Sequence, residues 1–416
     1  MADQSVTALI VSPANSPFLR RTLDAVLGQS HLPERIVLVR VGKEAFPAVD
    51  GVEVIDAPGA NNFGDAIREA VSADPSIMQS QWLWTLHDDS APFEDALANL
   101  IAEGARGLTV GIVGPKQVAW SDSARLLEVG VRASRSGRRL DYLMPGEIDQ
   151  GQHDSDSDVL AVGTAGMLIR AAVWELTGGP DPVLGPFGDG LELCRRTRQL
   201  GYRTVVAPGA RIAHARGSYR DVREGEEADV NRSFGLRRGA QLYNAMVANP
   251  PILFVLMLVS LPFWTLLRAL MRLFTKQPDL AWLELVGFAR AFSRIPQAIS
   301  ARLRLARTRK VPAKALASLE ESNLTITKAK RTLAKREREP KPVEVLEPVA
   351  AKLLREHKIA SNVAAGVGAL LLLVAIFFTS SGLTNGITGG AWANLPTSFT
   401  KLWHEAWAGW VVGGAG

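Results

Sequence analysis

Short apolar runs alternate with amphipathic stretches along the N-terminal part of the chain. Val6–Val11, Ile36–Val41 (apolar except for Arg40) and Val52–Ile55 are bounded by turn formers, the pattern of strands buried on both faces. Between them, Phe18–Gly28 places Leu19, Leu23, Val26 and Leu27 on one helical face, and Asn61-Asn62-Phe63-Gly64 opens a second helix over Asp65–Val71. Gln81–Leu86 is a further strand that runs into His87-Asp88-Asp89-Ser90, with a helix at Phe93–Ile101 behind Pro92. This alternation predicts an α/β fold, a sheet with helices on both faces whose ligands bind beyond the carboxyl ends of its strands. Past Gly107 the pattern loosens. Strands are predicted at Val110–Val113, Val159–Ile169 and Thr204–Ala207, a helix at Leu191–Leu200, and a polar, acidic loop over Asp149–Asp158.

A different pattern follows Pro250-Pro251. Ile252–Leu267 is apolar for 16 residues, about 24 Å of helix against a hydrocarbon core of about 30 Å. With Leu280–Ile299, which carries Trp282, Leu285, Phe288, Ala289 and Phe292 on one face and Arg290 and Arg294 elsewhere, it predicts an interfacial or re-entrant hairpin. Ala301–Pro348 is rich in Lys and Arg and reads as a helical or disordered linker. Ile359–Thr379 holds no charge over 21 residues and is the transmembrane candidate. The tail contains Trp392, Trp403, Trp407 and Trp410, an interfacial pattern. The expected layout is a catalytic domain (1–250), a membrane-interfacial hairpin (251–300), a basic cytoplasmic linker (301–358), a transmembrane helix (359–380) and a Trp-rich tail (381–416).

Charge sharpens this division. The chain of 416 residues has a formal net charge of +5, but Arg268–Lys358 alone holds 21 Lys+Arg against 9 Asp+Glu, a net +12 that leaves −7 for the rest. A basic segment between apolar ones fits attraction to anionic lipid on the cytoplasmic side, and its lack of interleaved aromatics speaks against nucleic acid. One cysteine excludes an internal disulfide and a Cys-rich zinc site. The N-terminus lacks the basic region and long apolar core of a signal peptide, so a catalytic domain on the cytoplasmic side of the cell membrane is expected.

The candidate chemistry begins at His87-Asp88-Asp89. Carboxylates at a strand's carboxyl end can hold a divalent cation that bridges a diphosphate, although alone the pair reads as a polar turn with an Asp cap. A second cluster, Gly185-Pro186-Phe187-Gly188-Asp189-Gly190-Leu191-Glu192, is followed by Gly201-Tyr202-Arg203 and Ala210-Arg211-Ile212-Ala213-His214. With Ala14-Asn15, Leu27-Gly28-Gln29-Ser30-His31-Leu32-Pro33 and Gly178-Gly179-Pro180-Asp181, these motifs stand in the order found in family 2 glycosyltransferases of the GT-A fold, which the first 220 or so residues resemble. In particular the chain is similar to cell-envelope rhamnosyl- and galactofuranosyltransferases.

The resemblance implies inverting transfer from a nucleotide-diphosphate sugar to a lipid-linked or polysaccharide acceptor, with Mn²⁺ or Mg²⁺ as cofactor and membrane lipids as further partners. By motif position it implies Asp89, His214 and His87 as metal ligands and Asp189 or Glu192 as base. Ser12, Pro13, Asn15, Arg40, Asn62, Asp65 and Asp88 are implied in nucleotide-sugar binding. Three departures stand out: His87 and Gly190 replace usual acids, and Arg40 stands where a base-reading Asp is usual. They motivate an alternative, a catalytically degenerate module acting as a membrane scaffold. Other readings are plainer. Glu192 also suits a helix N-terminus, Asn-Asn-Phe-Gly a turn, Cys194 a small core residue, Gly163-Thr164-Ala165-Gly166 an acceptor border or close strand packing, and Arg195, Arg196 and Arg198 a solvated helix face.

Overall fold

The computed structural model describes residues 4–13, 16–42, 48–155, 158–220, 229 and 231–338, then scattered helical positions between 352 and 375, and 400. In chain order the elements are β1 (Val6–Pro13), α1 (Leu19–Leu27), β2 (Arg35–Val41), β3 (Glu53–Asp56), α2 (Phe63–Ala73), β4 (Trp82–His87), β5 (Ser90–Pro92) and α3 (Ala96–Ala105). Then follow β6 (Val110–Ala119), β7 (Asp122–Glu128), β8 (Met167–Arg170), α4 (Ala171–Thr177), α5 (Asp189–Gln199), β9 (Arg203–His214) and α6 (Gly217–Arg220). The helices α7 (Phe234–Ala248), α8 (Pro251–Phe274), α9 (Pro278–Phe292), α10 (Ile295–Thr308) and α11 (Asn323–Arg338) close the series.

The strands form one mixed sheet ordered β3-β2-β1-β4-β8-β6-β9-β5, with β7 on β6. β1, β2, β3 and β4 are parallel, as their apolar runs predict, and β8 enters antiparallel between β4 and β6. One core layer holds Leu9, Val37, Ile67 and Leu83 on one face of the sheet, and a second holds Ile10, Leu38, Leu23 and Trp84 on the other. Alternate residues of β1 thus feed opposite layers, which is what a strand buried on both faces requires.

The strand expected over Val159–Ile169 is only Met167–Arg170. Residues before it make isolated bridges, Val131 to Ala161 and Asp158 to Val205, and Gly166 turns the chain at φ +80° to enter β8. Such a crossing segment is apolar because it is buried, not because it is paired. The last strand is longer than Thr204–Ala207, since β9 continues beside β6 to His214.

Two further expectations change beyond residue 250. The apolar helix α8 has 24 residues, running through Pro262 and past Arg268, so it is about 36 Å long. It is long and apolar enough to cross a membrane, and only 17% of its most apolar window is buried. The segment 301–336, expected as a loose linker, is instead part of the compact unit 1–336. Lys310 and Val311 donate backbone hydrogen bonds to Gln199 O, Glu321 donates to Ala133 O, and Leu316 joins the main core. The unit 337–416 is described at helical positions that include an apolar stretch, Ile359–Leu372; the Trp-rich tail lies outside the described residues except for Thr400.

Candidate active site

Strand register brings the chemistry together. β1 pairs β4 up to Val11 beside His87, and the turn after β4 is closed by Ser90, whose hydroxyl accepts from His87 N and donates to His87 O, both at 2.8 Å. β5 is antiparallel to β9 with Ser90 opposite His214, and Ala215 N donates to Asp89 O at 3.0 Å. Thus His214, far along the chain, meets His87 and Asp89: ligand atoms of the three all lie within 4.8 Å of one another.

The hydrogen bonds around the two rings decide which nitrogens face inward. His214 Nδ1 donates to Gln117 Oε1 at 2.9 Å, which turns Nε2 toward Asp89 Oδ1, 3.3 Å away. On the other side, the Thr164 hydroxyl gives its single proton to Asp189 Oδ2 at 3.0 Å, so it accepts from His87 Nε2 at 3.1 Å. That leaves His87 Nδ1 bare, 4.0 Å from Asp89 Oδ1. Burial pushes His87 down to about 4, so the ring is neutral at pH 7, the form that ligates a cation. Burial opposes the charge on Asp89, but His214 and the Gly217 amide at 2.7 Å outweigh it and hold the carboxylate below its ordinary range. Two correctly turned imidazoles and an ionised carboxylate fit a divalent cation.

Asp189 is the first residue of α5 and is buried, which raises its carboxyl above the ordinary aspartate range. The glycine after it is forced: a Cβ at Gly190 would lie 2.4 Å from Val162 O. No side chain fits at that position, and the acid available there is Asp189. Asp88, beside the triad, is raised to about 6, chiefly by burial, with the Asp89 charge adding to it. These groups line one cavity of about 1010 Å³.

Family comparison fits this geometry. Residues 3–228 match the model of glycosyltransferase like family 2. The chain belongs to this glycosyltransferase family. Galactofuranosyltransferase GlfT1 of Mycolicibacterium smegmatis is 25% identical over 210 residues, which is 47% of this chain and 66%, less than two thirds, of that relative. Solved structures that resemble it include GalNAc-T7 with UDP, GalNAc and Mn²⁺ (14% identical, TM-score 0.43, 59% of this chain and 48% of that one). Another is the mannosyltransferase PcManGT from Pyrobaculum calidifontis with GDP-Man and Mn²⁺ (15% identical, TM-score 0.39, 78% and 83%).

Not every residue implied by the resemblance to family 2 glycosyltransferases reaches the cavity. Glu192 is clamped by Arg196, at 2.5 Å and 2.7 Å, and accepts from Asp181 N at 3.2 Å; buried and doubly paired, it is a structural anion and not a free base. Arg40 is held in a two-point pair with Asp56, at 2.6 and 2.8 Å, outside the cavity lining. Asn62 caps α2 through Asp65 N, and Asp65 pairs with Arg68, so both serve the helix start. Ser12 is buried and donates to Pro13 O, away from the cavity, while Pro13 lines it. Asn15 lies outside the described residues. The arginines of α5 are not a solvated face: Arg195 is buried against Ser134 O, and Arg196 also donates to Thr177 O and Gly179 O.

Sequence reasoning missed Gln117 and the part played by Thr164. Gln117 had one visible signal, a polar residue inside the apolar strand β6.

Proposed function

We propose that this chain transfers a glycosyl group, with inversion, from a nucleotide-diphosphate sugar to a hydroxyl of a lipid-linked or cell-envelope glycan acceptor at a membrane surface. The observation that carries the reading is the polar path from Asp189 through Thr164 to His87, which puts a buried carboxylate and a cation-binding triad on one cavity. Asp189 would take the proton of the acceptor hydroxyl as that oxygen attacks the anomeric carbon and the bond to the diphosphate breaks on the opposite face. The carboxylate ends protonated, and the nucleoside diphosphate leaves with the bonding pair. Its raised proton affinity suits this role, since a base works best when its pKa approaches the operating pH. Asp88 would hold a sugar or ribose hydroxyl beside the triad.

His87, Asp89 and His214 would hold the divalent cation, which when bound would offset the charge developing on the leaving diphosphate. Two imidazoles with one carboxylate suit Mn²⁺ better than Mg²⁺, which favours an oxygen shell. Because GlfT1 is named a galactofuranosyltransferase, nucleotide-linked galactofuranose is the first donor to try.

The membrane enters through α8. Its two flanks belong to the same compact unit: α9 packs back on α7, with Gly239 against Gly287 O, and 310–321 bonds to the domain beyond. A single crossing would put α7 and α9 on opposite sides of the bilayer. We therefore read α8 as lying in the interface, with Leu256, Val259, Phe263 and Trp264 exposed to lipid, and assign the true span to 359–380.

Transfer or hydrolysis with a panel of nucleotide sugars tests the reading. Activity should require a divalent cation, be higher with Mn²⁺ than with Mg²⁺, and be lost in Asp89→Ala and Asp189→Asn. If no donor binds with either cation present, the scaffold alternative takes its place.

A further inference from the structure

One wall of the cavity is built from helices that lie beyond the family match of residues 3–228. It carries Arg238 on α7, Arg268 and Arg272 on α8, and Glu284 on α9, with Arg138 reaching in from the loop after β7. Arg238 Nε lies 3.0 Å from Glu284 Oε2, and Arg268 lies 4.0 Å from Glu284 Oε1. Arg272 donates to Gln277 Oε1 at 2.6 Å and its guanidinium sits over Phe234; Arg138 donates to Thr327 Oγ1 at 3.3 Å. Two guanidinium groups, Arg238 and Arg268, thus face one buried carboxylate, and those of Arg138 and Arg272 line the same cavity. Elsewhere on the cavity two cations have acids beside them: Arg139 pairs with Glu128, and Lys330 faces Asp141 at 3.9 Å.

Such crowding is unfavourable without an anion. Burial first, and then the neighbouring charge of Arg268, lower the affinity of Arg138 for its proton, and both act on Arg238 against the pull of Glu284. Two further facts place the wall. Asn244 on α7 donates to Gly188 O, next to Asp189, and lies six residues from Arg238, so Arg238 stands about 9 Å along the helix axis from the loop of the base. Arg268 and Arg272 share a face of α8 one turn apart, on the helix whose other residues expose Trp264, Leu270 and Met271.

We propose that this wall is a phosphate-binding subsite, holding the phosphate or diphosphate of an amphiphilic acceptor whose apolar chain lies along α8 while its glycosyl end reaches Asp189. The assignment of the ligand as acceptor rests on the transferase reading above. Guanidinium forks match phosphate oxygens in two-point hydrogen bonds, and a cluster on a half-buried wall is screened less than a surface patch. The donor's diphosphate would sit at the His87–Asp89–His214 triad, so the wall serves a second anion.

The test uses the full chain in neutral phosphatidylcholine nanodiscs with EDTA, which removes any cation-bridged contribution, and titrates farnesyl diphosphate as a short amphiphilic diphosphate by calorimetry. Wild type should bind it and bind farnesol far more weakly. Arg268→Glu, Arg272→Glu and Arg138→Gln, on two separate elements, should each weaken binding about tenfold or more, the scale of a lost charge-assisted contact. Arg268→Lys and Arg272→Lys should retain part of it. Thermal melting checks each variant, and Arg138→Gln stands in where an α8 variant fails to fold. Absence of farnesyl diphosphate binding, or equal binding by wild type and the charge-altered variants, overturns the proposal. So does capture by phosphatidylglycerol vesicles that farnesyl diphosphate does not displace, which would make the wall a headgroup contact. Donor binding with Mn²⁺, measured on the same preparation, tests the transferase reading separately: its failure leaves diphosphate binding in EDTA to stand or fall alone.

Discussion

Thr164 has one proton, and its use fixes the site. Donated to Asp189, that proton obliges the hydroxyl to accept from His87 Nε2, and the opposite ring nitrogen is left bare for a cation. Thr164→Val should therefore weaken Mn²⁺ binding about tenfold or more, as losses around metal-binding histidines generally do; Thr164→Ser should restore it, and Mn²⁺ titration by electron paramagnetic resonance reads both. Asp189 gives a second expectation. Its raised pKa means that the proton-accepting form is lost as pH falls through a value above the ordinary aspartate range, so the acid limb of kcat/KM should lie there. For stability the sign reverses, because a carboxyl raised in the folded state favours folding below its unfolded pKa and costs stability as pH climbs past its folded one. The Asp189→Asn protein should accordingly tolerate alkaline pH better than wild type in thermal melts.

Among the elements, α5 shows how two acids three residues apart acquire different work. Asp189 opens the helix facing the cavity, whereas Glu192 turns toward α4 and is locked by Arg196. Glu192→Gln should lower stability by about 3 kcal/mol, the scale for breaking a buried pair, while the pH at which kcat/KM falls stays in place; a displaced pH profile would return Glu192 to the list of bases. This is also where the sequence was hardest to read. β1 to β4 and the helices between them were legible because buried strands and one-faced helices each impose a periodicity. The His87-Asp88-Asp89 and His214 positions were legible through motif order. The arginines of α5 were not, since a buried arginine bonded to carbonyls and an exposed one look alike as letters. Gln117 and Thr164 were hidden for a related reason: their roles arise from register between β6, β9 and the segment before β8, which no local pattern encodes. The hairpin of α8 and α9 was visible as apolar sequence, but the return of 310–321 to the domain depends on a few backbone bonds with no signature of their own.

For the molecule as a whole, the compact unit ends near Arg336, well past the family match, and includes α8 with its exposed Leu256, Val259, Phe263 and Trp264. A chain truncated after residue 336 should still float with vesicles despite lacking 359–380, and Phe263→Ser with Trp264→Ser should abolish flotation of that truncated form. If truncation alone releases the protein into solution, α8 is not a membrane contact. An α8 that lies flat also changes the kind of search the enzyme makes. A catalyst held at the interface meets its acceptor by diffusion in two dimensions, so its turnover should follow the mole fraction of acceptor in the bilayer. Diluting the acceptor with neutral lipid at constant bulk concentration should slow the reaction, whereas diluting the whole suspension with buffer should leave the turnover of bound enzyme nearly unchanged.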